Sequence, residues 1–170
     1  MENQQNFKNT NLFEKQLKID QDFVVGISGG SDSLALAFLS KIYSVKKHIG
    51  VKFFIVDHKL RPESTKEARL VRKVLKKFFI NVEILTWHGK KPLSNIQSLA
   101  RKKRYELLIS KCKNLKIHNL LLAHHQDDLF ENFFIRILRG SGLKGLISFN
   151  MKSKFNNINL LRPLLEFIKK

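Results

Sequence analysis

Cysteine is almost missing from this chain: among 170 residues there is one, Cys112. That excludes an internal disulfide framework and any CxxC-type metal or redox site. Long apolar runs are missing as well. None approaches the roughly 20 residues a bilayer span requires, so a membrane-spanning protein is not expected. The opening Met1-Glu2-Asn3-Gln4-Gln5 has no apolar signal core, and the expected location is therefore cytoplasmic. Internal repeats, low-complexity tracts and flexible linkers are also absent, which favours one domain of ordinary size. Acidic residues are scarce: 14 Asp and Glu stand against 32 Lys and Arg.

The resulting formal charge is +18, with an isoelectric point near 10.2. A chain this basic repels itself unless a polyanion is at hand, and nucleic acid is the commonest one. The competing explanation is coding bias, since Lys, Asn, Ile and Phe are all abundant. The basic residues are dispersed along the chain, so charge names a class of partner and no site. At 43% hydrophobic and 10% aromatic residues, there is enough apolar surface for a core, and disorder of the whole chain is excluded.

Hydrophobic patterning alternates strand and helix. Residues 1–20 carry an amphipathic stretch with Leu12, Phe13 and Leu17, read as a helix packed on the domain proper. Asp22–Ile27 is a short buried strand, followed by an apolar helix over 33–39 and a second strand over 51–57. Residues 63–79 form an amphipathic helix with Ala68, Val71, Val74, Leu75 and Phe78 on one face. Ser64 and Glu67 make a capping box at its start. A third strand spans 81–87, a helix opens at Ser94 and Gln97 and runs to about Lys113, and a fourth strand spans 119–123. A helix over 127–138, a glycine loop over 139–145 and a fifth strand over 157–163 complete the pattern. The expectation is a doubly wound α/β fold with a mostly parallel five-stranded sheet and helices on both faces. Ligands in such folds bind at the carboxyl ends of the strands. Three polar clusters fall there: Ser28–Ser33, Asp57-His58 and His124–Asp128.

Ser28-Gly29-Gly30-Ser31-Asp32-Ser33 joins a buried strand directly to a helix. Glycines let the backbone approach an anion closely, and a helix N-terminus offers free N–H groups and a positive dipole end. Asp32 beside a phosphate is repelled unless a cation lies between them, and Mg²⁺ takes carboxylate together with phosphate oxygens. The plainer reading is a tight turn with Asp32 as the helix cap. A Walker A loop is excluded, because no Gly-Lys-Ser/Thr follows. Gly26-Ile27-Ser28-Gly29-Gly30 matches GxSxG, but a hydrolase elbow needs further strands before it, and only 21 residues precede this one. Asp127, Asp128 and Glu131 share one helix face, where like charges are tolerated around a cation. They also suit the first turn of a solvated helix. His124, His125 and Asp128 offer zinc no obvious fourth ligand. Arg139-Gly140-Ser141-Gly142 suits either a phosphate or a helix C-cap.

The SGGxDS signature at 28–33 resembles the PP-loop ATP pyrophosphatase superfamily. Together with Val56–Ser64, Ala123–Asn132, Leu138–Gly142, Leu99-Ala100-Arg101 and Arg104-Tyr105, it resembles the tRNA(Ile)-lysidine synthase family over about residues 22–165. The chain departs from that family at Lys59, where Gly is usual, and at Asn132, where Thr is usual. The resemblance divides the chain into an N-terminal helical extension, 1–21, and a PP-loop catalytic domain, 22–170. The family's C-terminal tRNA-binding domains lie beyond it.

The resemblance implies a ligase that forms a carbon–nitrogen bond, using ATP and Mg²⁺. Its substrates would be L-lysine and tRNA(Ile) with a CAU anticodon, with no membrane partner and the oligomeric state open between monomer and homodimer. The reaction is adenylation of the wobble cytidine at C2, followed by attack of the lysine amine. It assigns Ser28, Gly29, Gly30, Ser31, Asp32, Ser33, Asp57 and Arg101 to the nucleotide, with Asp32 on Mg²⁺. It assigns His125, Asp128, Glu131 and Arg139 to the substrates, with Asp32, Asp128 and Glu131 catalytic. The alternatives are another PP-loop adenylase acting on tRNA or making an amide, and an RNA-binding remnant without catalysis. Thiolating relatives use cysteines, which a lone Cys112 disfavours.

Overall fold

The computed structural model describes residues 2–89, 96–123, 152–155 and 157–165. Its elements are α1 (Glu2–Leu17), β1 (Phe23–Ile27), α2 (Ser31–Lys47), β2 (Val51–Asp57), α3 (Ser64–Lys76), β3 (Val82–Thr86), α4 (Ile96–Asn114), β4 (Asn119–Leu122), β5 (Lys152–Phe155) and β6 (Ile158–Leu161). One six-stranded sheet runs β3-β2-β1-β4-β6-β5. Every neighbouring pair is parallel except β5 with β6. The expected helix over 127–138 and glycine loop over 139–145, with His125, Asp128, Glu131 and Arg139, lie outside the described residues.

The alternation of side chains along a strand sorts the core into two faces. Phe23, Val25 and Ile27 of β1 join Phe53, Ile55 and Leu121 under α1, α2 and α3, meeting Phe13, Leu36 and Leu75. Val24 joins Phe54, Leu120 and Leu122 on the opposite face, under Leu108, Ile109 and Cys112 of α4. The winding therefore reverses at β1: β2 and β3 lie to one side, and β4 and β6 to the other. Gly26 sits at the reversal. A Cβ there would come within 2.9 Å of Leu108 Cδ1 and Leu122 Cδ2, so its absence lets α4 close on the sheet.

Six strands replace the expected five. The addition is β5, whose sequence Lys-Ser-Lys-Phe has no apolar alternation because it forms the exposed margin of the sheet, held by β6 and by Arg162 Nη1 donating to Ser153 Oγ at 3.0 Å. Lysines on such an edge discourage pairing with another chain. The helix expected over 33–39 extends to Lys47, and its last turns bring Tyr43 into the core. Tyr43 packs edge-on against Phe13 and Phe23. Its hydroxyl donates to Ile19 O at 2.7 Å and accepts from Ile19 N at 3.1 Å, fastening the segment after α1 to the domain.

The capping box at α3 does not form. Asp57, at the end of β2 and 2% exposed, takes the hydroxyls of Ser64 (2.8 Å) and Thr65 (2.6 Å) and the Lys59 amide (2.9 Å). Ser64 is thereby drawn away from the helix backbone, and Glu67 pairs with Arg61 at 3.0 Å. Lys59 adopts φ 49°, a left-handed conformation that favours glycine, the residue usual there in the family it resembles. Asp57 thus ties β2, the following loop and α3 together. Burial opposes its ionisation, but the bonds from Thr65, the Lys59 amide and Ser64 outweigh that and hold its carboxyl below the ordinary range.

Two stability measurements follow. Tyr43→Phe strips Ile19 of both partners and should cost about 1–3 kcal/mol by urea denaturation, the usual penalty for stranded buried polar groups. Asp57 has a lower pKa folded than unfolded, so its contribution is fully present above the unfolded value near 3.8 and is lost as pH falls through the folded one. Asp57→Asn should therefore be less stable at pH 7 and flatter in its urea midpoint below about pH 4 than the wild type.

Candidate functional site

The reversal of winding at β1 opens a crevice at the carboxyl ends of β1 and β4, the position where open α/β sheets bind ligands. A cavity of about 600 Å³ fills it. Its floor is Gly26 and Ile27 with Leu122 and Ala123. One wall is the loop from Ser28 to Ser33 and the other is α4, through Gln97, Arg101, Arg104, Tyr105 and Leu108. A second cavity of about 400 Å³ adjoins it across the loop, between the ends of β1 and β2 and helix α3. Ile27, Ser28 and Arg104 line both. The second cavity is the more apolar in character, with Ile55, Val56, Leu60, Ala68 and Val71 in its walls.

The loop is braced from inside. Ser33, almost fully buried, donates its hydroxyl to Gly30 O at 2.8 Å and accepts from Gly29 N at 3.0 Å. Gly29 has φ +93°, and a Cβ there would also press on Val71 Cγ2 at 3.2 Å, so both backbone and packing demand glycine. Gly30 differs. It is the N-cap of α2 with φ −73° and ψ 162°, an ordinary conformation for any residue. Its hypothetical Cβ would meet nothing closer than Ser28 Oγ at 3.9 Å. Neither the fold nor the backbone requires glycine there, and the open space is the cavity itself. Asp32 lines the same cavity in the first turn of α2, where Ser31 Oγ donates to its Oδ1 at 3.3 Å. Asp32 does not act as the helix cap, since Gly30 holds that position without a side-chain bond.

Of the residues assigned to nucleotide from sequence, the structure gathers Ser28, Gly30, Ser31, Asp32, Ser33 and Arg101 around the first cavity, with Gly29 lining the second. Ser33 and Gly29 serve by holding the loop's shape. Asp57 stands apart: its carboxylate is spent on Ser64, Thr65 and Lys59, and it lines neither cavity. Two residues add to the assigned set. Arg104, one turn after Arg101, is drawn inward between the cavities. Burial lowers its pKa, with Tyr105 acting to raise it and Arg101 to lower it, yet a guanidinium remains charged. His58 lines the second cavity with both ring nitrogens buried and without a hydrogen-bond partner among the described residues. Burial, then Arg104, lower its pKa while Asp57 pulls it upward, so the ring is neutral at pH 7. The run Arg101-Lys102-Lys103-Arg104 is uniformly basic, and only the helix's rotation against the sheet separates the two cavity-lining arginines from the two lysines.

The hydrolase reading of Ser28 finds no support. No strand precedes β1 among the described residues, and His58 makes no hydrogen bond to activate a hydroxyl. Burial pushes the Cys112 thiol up to about 12, far from nucleophilic at neutral pH. No group of three or more His, Cys, Asp or Glu suited to a metal occurs among the described residues. No described helix is long and apolar enough to cross a membrane.

Comparisons with known proteins agree with this geometry. The chain is 40% identical over 164 residues to a tRNA(Ile)-lysidine synthase of Orientia tsutsugamushi, covering 96% of the chain and 36% of the relative. It is 41% identical over 165 residues to one of Wolbachia pipientis, covering 96% of the chain and 37% of the relative. The chain thus spans about a third of the length of these curated relatives. Among solved structures, the U34-tRNA thiolase NcsA from Methanococcus maripaludis, a protein with a [4Fe-4S] cluster, superposes with a TM-score of 0.78 at 20% identity. The match covers 93% of this chain and 59% of that one, and it shows a shared fold. The model of the PP-loop domain matches residues 1–170, and the chain belongs to the PP-loop domain family.

Proposed function

We propose that this chain is the adenylating part of an ATP-dependent ligase joining L-lysine to C2 of the wobble cytidine, position 34, of tRNA(Ile) with a CAU anticodon. The observation carrying this reading is the 40% identity to tRNA(Ile)-lysidine synthase across nearly the whole chain, with the four motifs of that family in order. The paired cavities support the nucleotide part of it. A nucleoside triphosphate needs an anion cradle next to an apolar slot, and the loop Ser28–Ser33 divides the two.

The chemistry runs in two displacements. The O2 oxygen of cytidine bonds to the α-phosphorus of ATP, and pyrophosphate leaves. The ε-amine of lysine then bonds to C2, and AMP departs carrying that oxygen. Backbone N–H groups at the start of α2, with the hydroxyls of Ser28 and Ser31, would hold the departing pyrophosphate, the geometry in which a helix N-terminus binds anions. Arg101 and Arg104 bring fixed positive charge to the opposite wall. The apolar second cavity would take the base, with the neutral His58 ring offering one donor and one acceptor. Asp32 fits Mg²⁺, which binds through one or two carboxylates plus phosphate oxygens and so needs no larger acidic cluster. When bound there, the ion would neutralise charge on the phosphates. Asp57 acts at one remove, as a positioning residue for the loop lining the second cavity.

Asp128 and Glu131, with His125 and Arg139, belong to the lysine and tRNA side of this proposal. Two carboxylates three residues apart in sequence would suit a ligand bearing two ammonium groups, and one of them would accept the proton that the attacking amine must lose. Against the thiolase alternative stands the single, deeply buried Cys112. Against synthesis of small molecules stands the charge of +18.

The test supplies the chain with ATP, a tRNA(Ile) transcript and labelled lysine, and follows AMP formation and label in RNA separately. Expected are transcript-dependent AMP and labelled RNA. RNA binding without AMP would favour the non-catalytic alternative, and AMP formed with a different acceptor would replace lysine. In the same assay Glu131→Gln should raise the lysine requirement roughly 30-fold to several-thousand-fold, the effect of removing one partner of a desolvated charged bond. Lysine-independent adenylation should stay nearly unchanged. Lost adenylation with normal lysine dependence would move Glu131 to the ATP side.

A further inference from the structure

The apolar face expected on α3 is only partly inside. Ala68 and Leu75 are buried, whereas Leu70, Val74 and Phe78, spaced four apart, are 62%, 38% and 53% exposed. Beside them run two rows of cations at the same spacing: Arg69, Lys73 and Lys77, and Arg72 with Lys76. None of these five has an ion-pair partner among the described residues. Like charges four apart on a helix destabilise it. Phe79, just beyond the helix, is 84% exposed and has φ +58°. Its amide bonds Lys76 O while the Ile80 amide bonds Leu75 O, a left-handed helix ending that favours glycine. The chain therefore bears a backbone strain that leaves an aromatic ring in water.

We propose that this face of α3, with Phe79, is a docking surface for an RNA strand, the cations meeting phosphates and Phe79 stacking on an unpaired base. The proposal rests on the tRNA reading above and names a surface for it outside the reaction cavities. Three observations commit the surface to RNA. The cations are unpaired and uniformly positive, matching a polyphosphate. An exposed aromatic ring beside a basic track is the usual platform for unstacked bases. The strip is also continuous with the site: Leu70 lines the apolar cavity by the loop. At the far end, Arg72 and Phe79 line another hollow with Lys41 and Lys52, whose one acid, Glu83, is held by Lys111 at 2.6 Å. A bilayer is the poorer match, because it needs apolar residues along the middle of the exposed face. Here the cations hold the middle, and Leu70, Val74 and Phe78 lie at one margin.

Phe79→Gly separates function from folding. It should raise the melting temperature by relieving the left-handed strain, and weaken binding of a tRNA(Ile) transcript roughly 5- to 150-fold. The triple variant Arg72→Ser, Lys73→Ser, Lys76→Ser should flatten the slope of log affinity against log salt by about 2 if all three meet phosphates of a single strand. Wild-type affinity in both variants would overturn the surface and leave the tRNA reading standing. A transcript that fails to bind the wild-type chain in low salt would overturn both. A lower melting temperature in Phe79→Gly would make Phe79 a packing residue and remove its stacking role. Anionic vesicles bound by the wild type and lost by both variants, with RNA affinity unmoved, would assign the face to a membrane.

Discussion

The reversal of winding at β1 is the constraint from which the site derives. Helices α1, α2 and α3 cover one face of the sheet and α4 covers the other, so none of the described helices covers the carboxyl ends of β1 and β4 together. Gly26 lets α4 approach within van der Waals contact of the sheet, which brings Arg101 and Arg104 over the crevice. The loop after β1 is then held by one side chain, Ser33, whose hydroxyl links Gly29 and Gly30. The shape of the proposed anion cradle is thus set by the chain's own backbone and Ser33. Such preorganisation is what electrostatic catalysis at a leaving group requires.

The sequence was most legible where one physical signal dominated. β1 and β4 could be read because they are buried throughout, which makes them short apolar runs, and β2, β3 and β6 from their apolar residues although each has exposed positions. The loop Ser28–Ser33 could be read because strand, glycines and helix follow without a gap. Other features depended on a third dimension. Ser64 and Glu67 fit a capping box locally, but Asp57 competes for the serine from across the loop, and its three hydrogen bonds win. Val74 and Phe78 share the helical period of buried residues, and only the angle at which α3 lies on the sheet leaves them at the exposed margin. Arg104 is hidden in a run of four cations. Strand β5 is a polar edge, and its order comes from its partner β6 rather than from its own residues.

Lys59 and Phe79 occupy left-handed backbone positions that favour glycine. The first lies in the Asp57-braced loop beside the apolar cavity and the second at the end of the basic face of α3. Arg69 with Lys73 and Arg72 with Lys76 are like charges four apart on α3, without ion-pair partners among the described residues. Lys18, His48, Lys116 and Asn157 share the left-handed conformation, and His48 and Lys116 end α2 and α4 with the same pair of amide bonds, so what sets the end of α3 apart is the exposed ring beside a basic row rather than its backbone.

Gly30 offers the most direct test of the claim that the loop is a pyrophosphate cradle, because its backbone and packing tolerate a side chain while the cavity does not. Gly30→Ser supplies α2 with a better N-cap than glycine and places a Cβ in the open space above the loop. Calorimetric titration of pyrophosphate with Mg²⁺ into the wild-type and variant chains, alongside their melting temperatures, reads both effects at once. The account predicts an unchanged or higher melting temperature together with pyrophosphate affinity at least about tenfold weaker, a loss of roughly 1.4 kcal/mol. A folded variant that binds pyrophosphate as tightly as the wild type would contradict it.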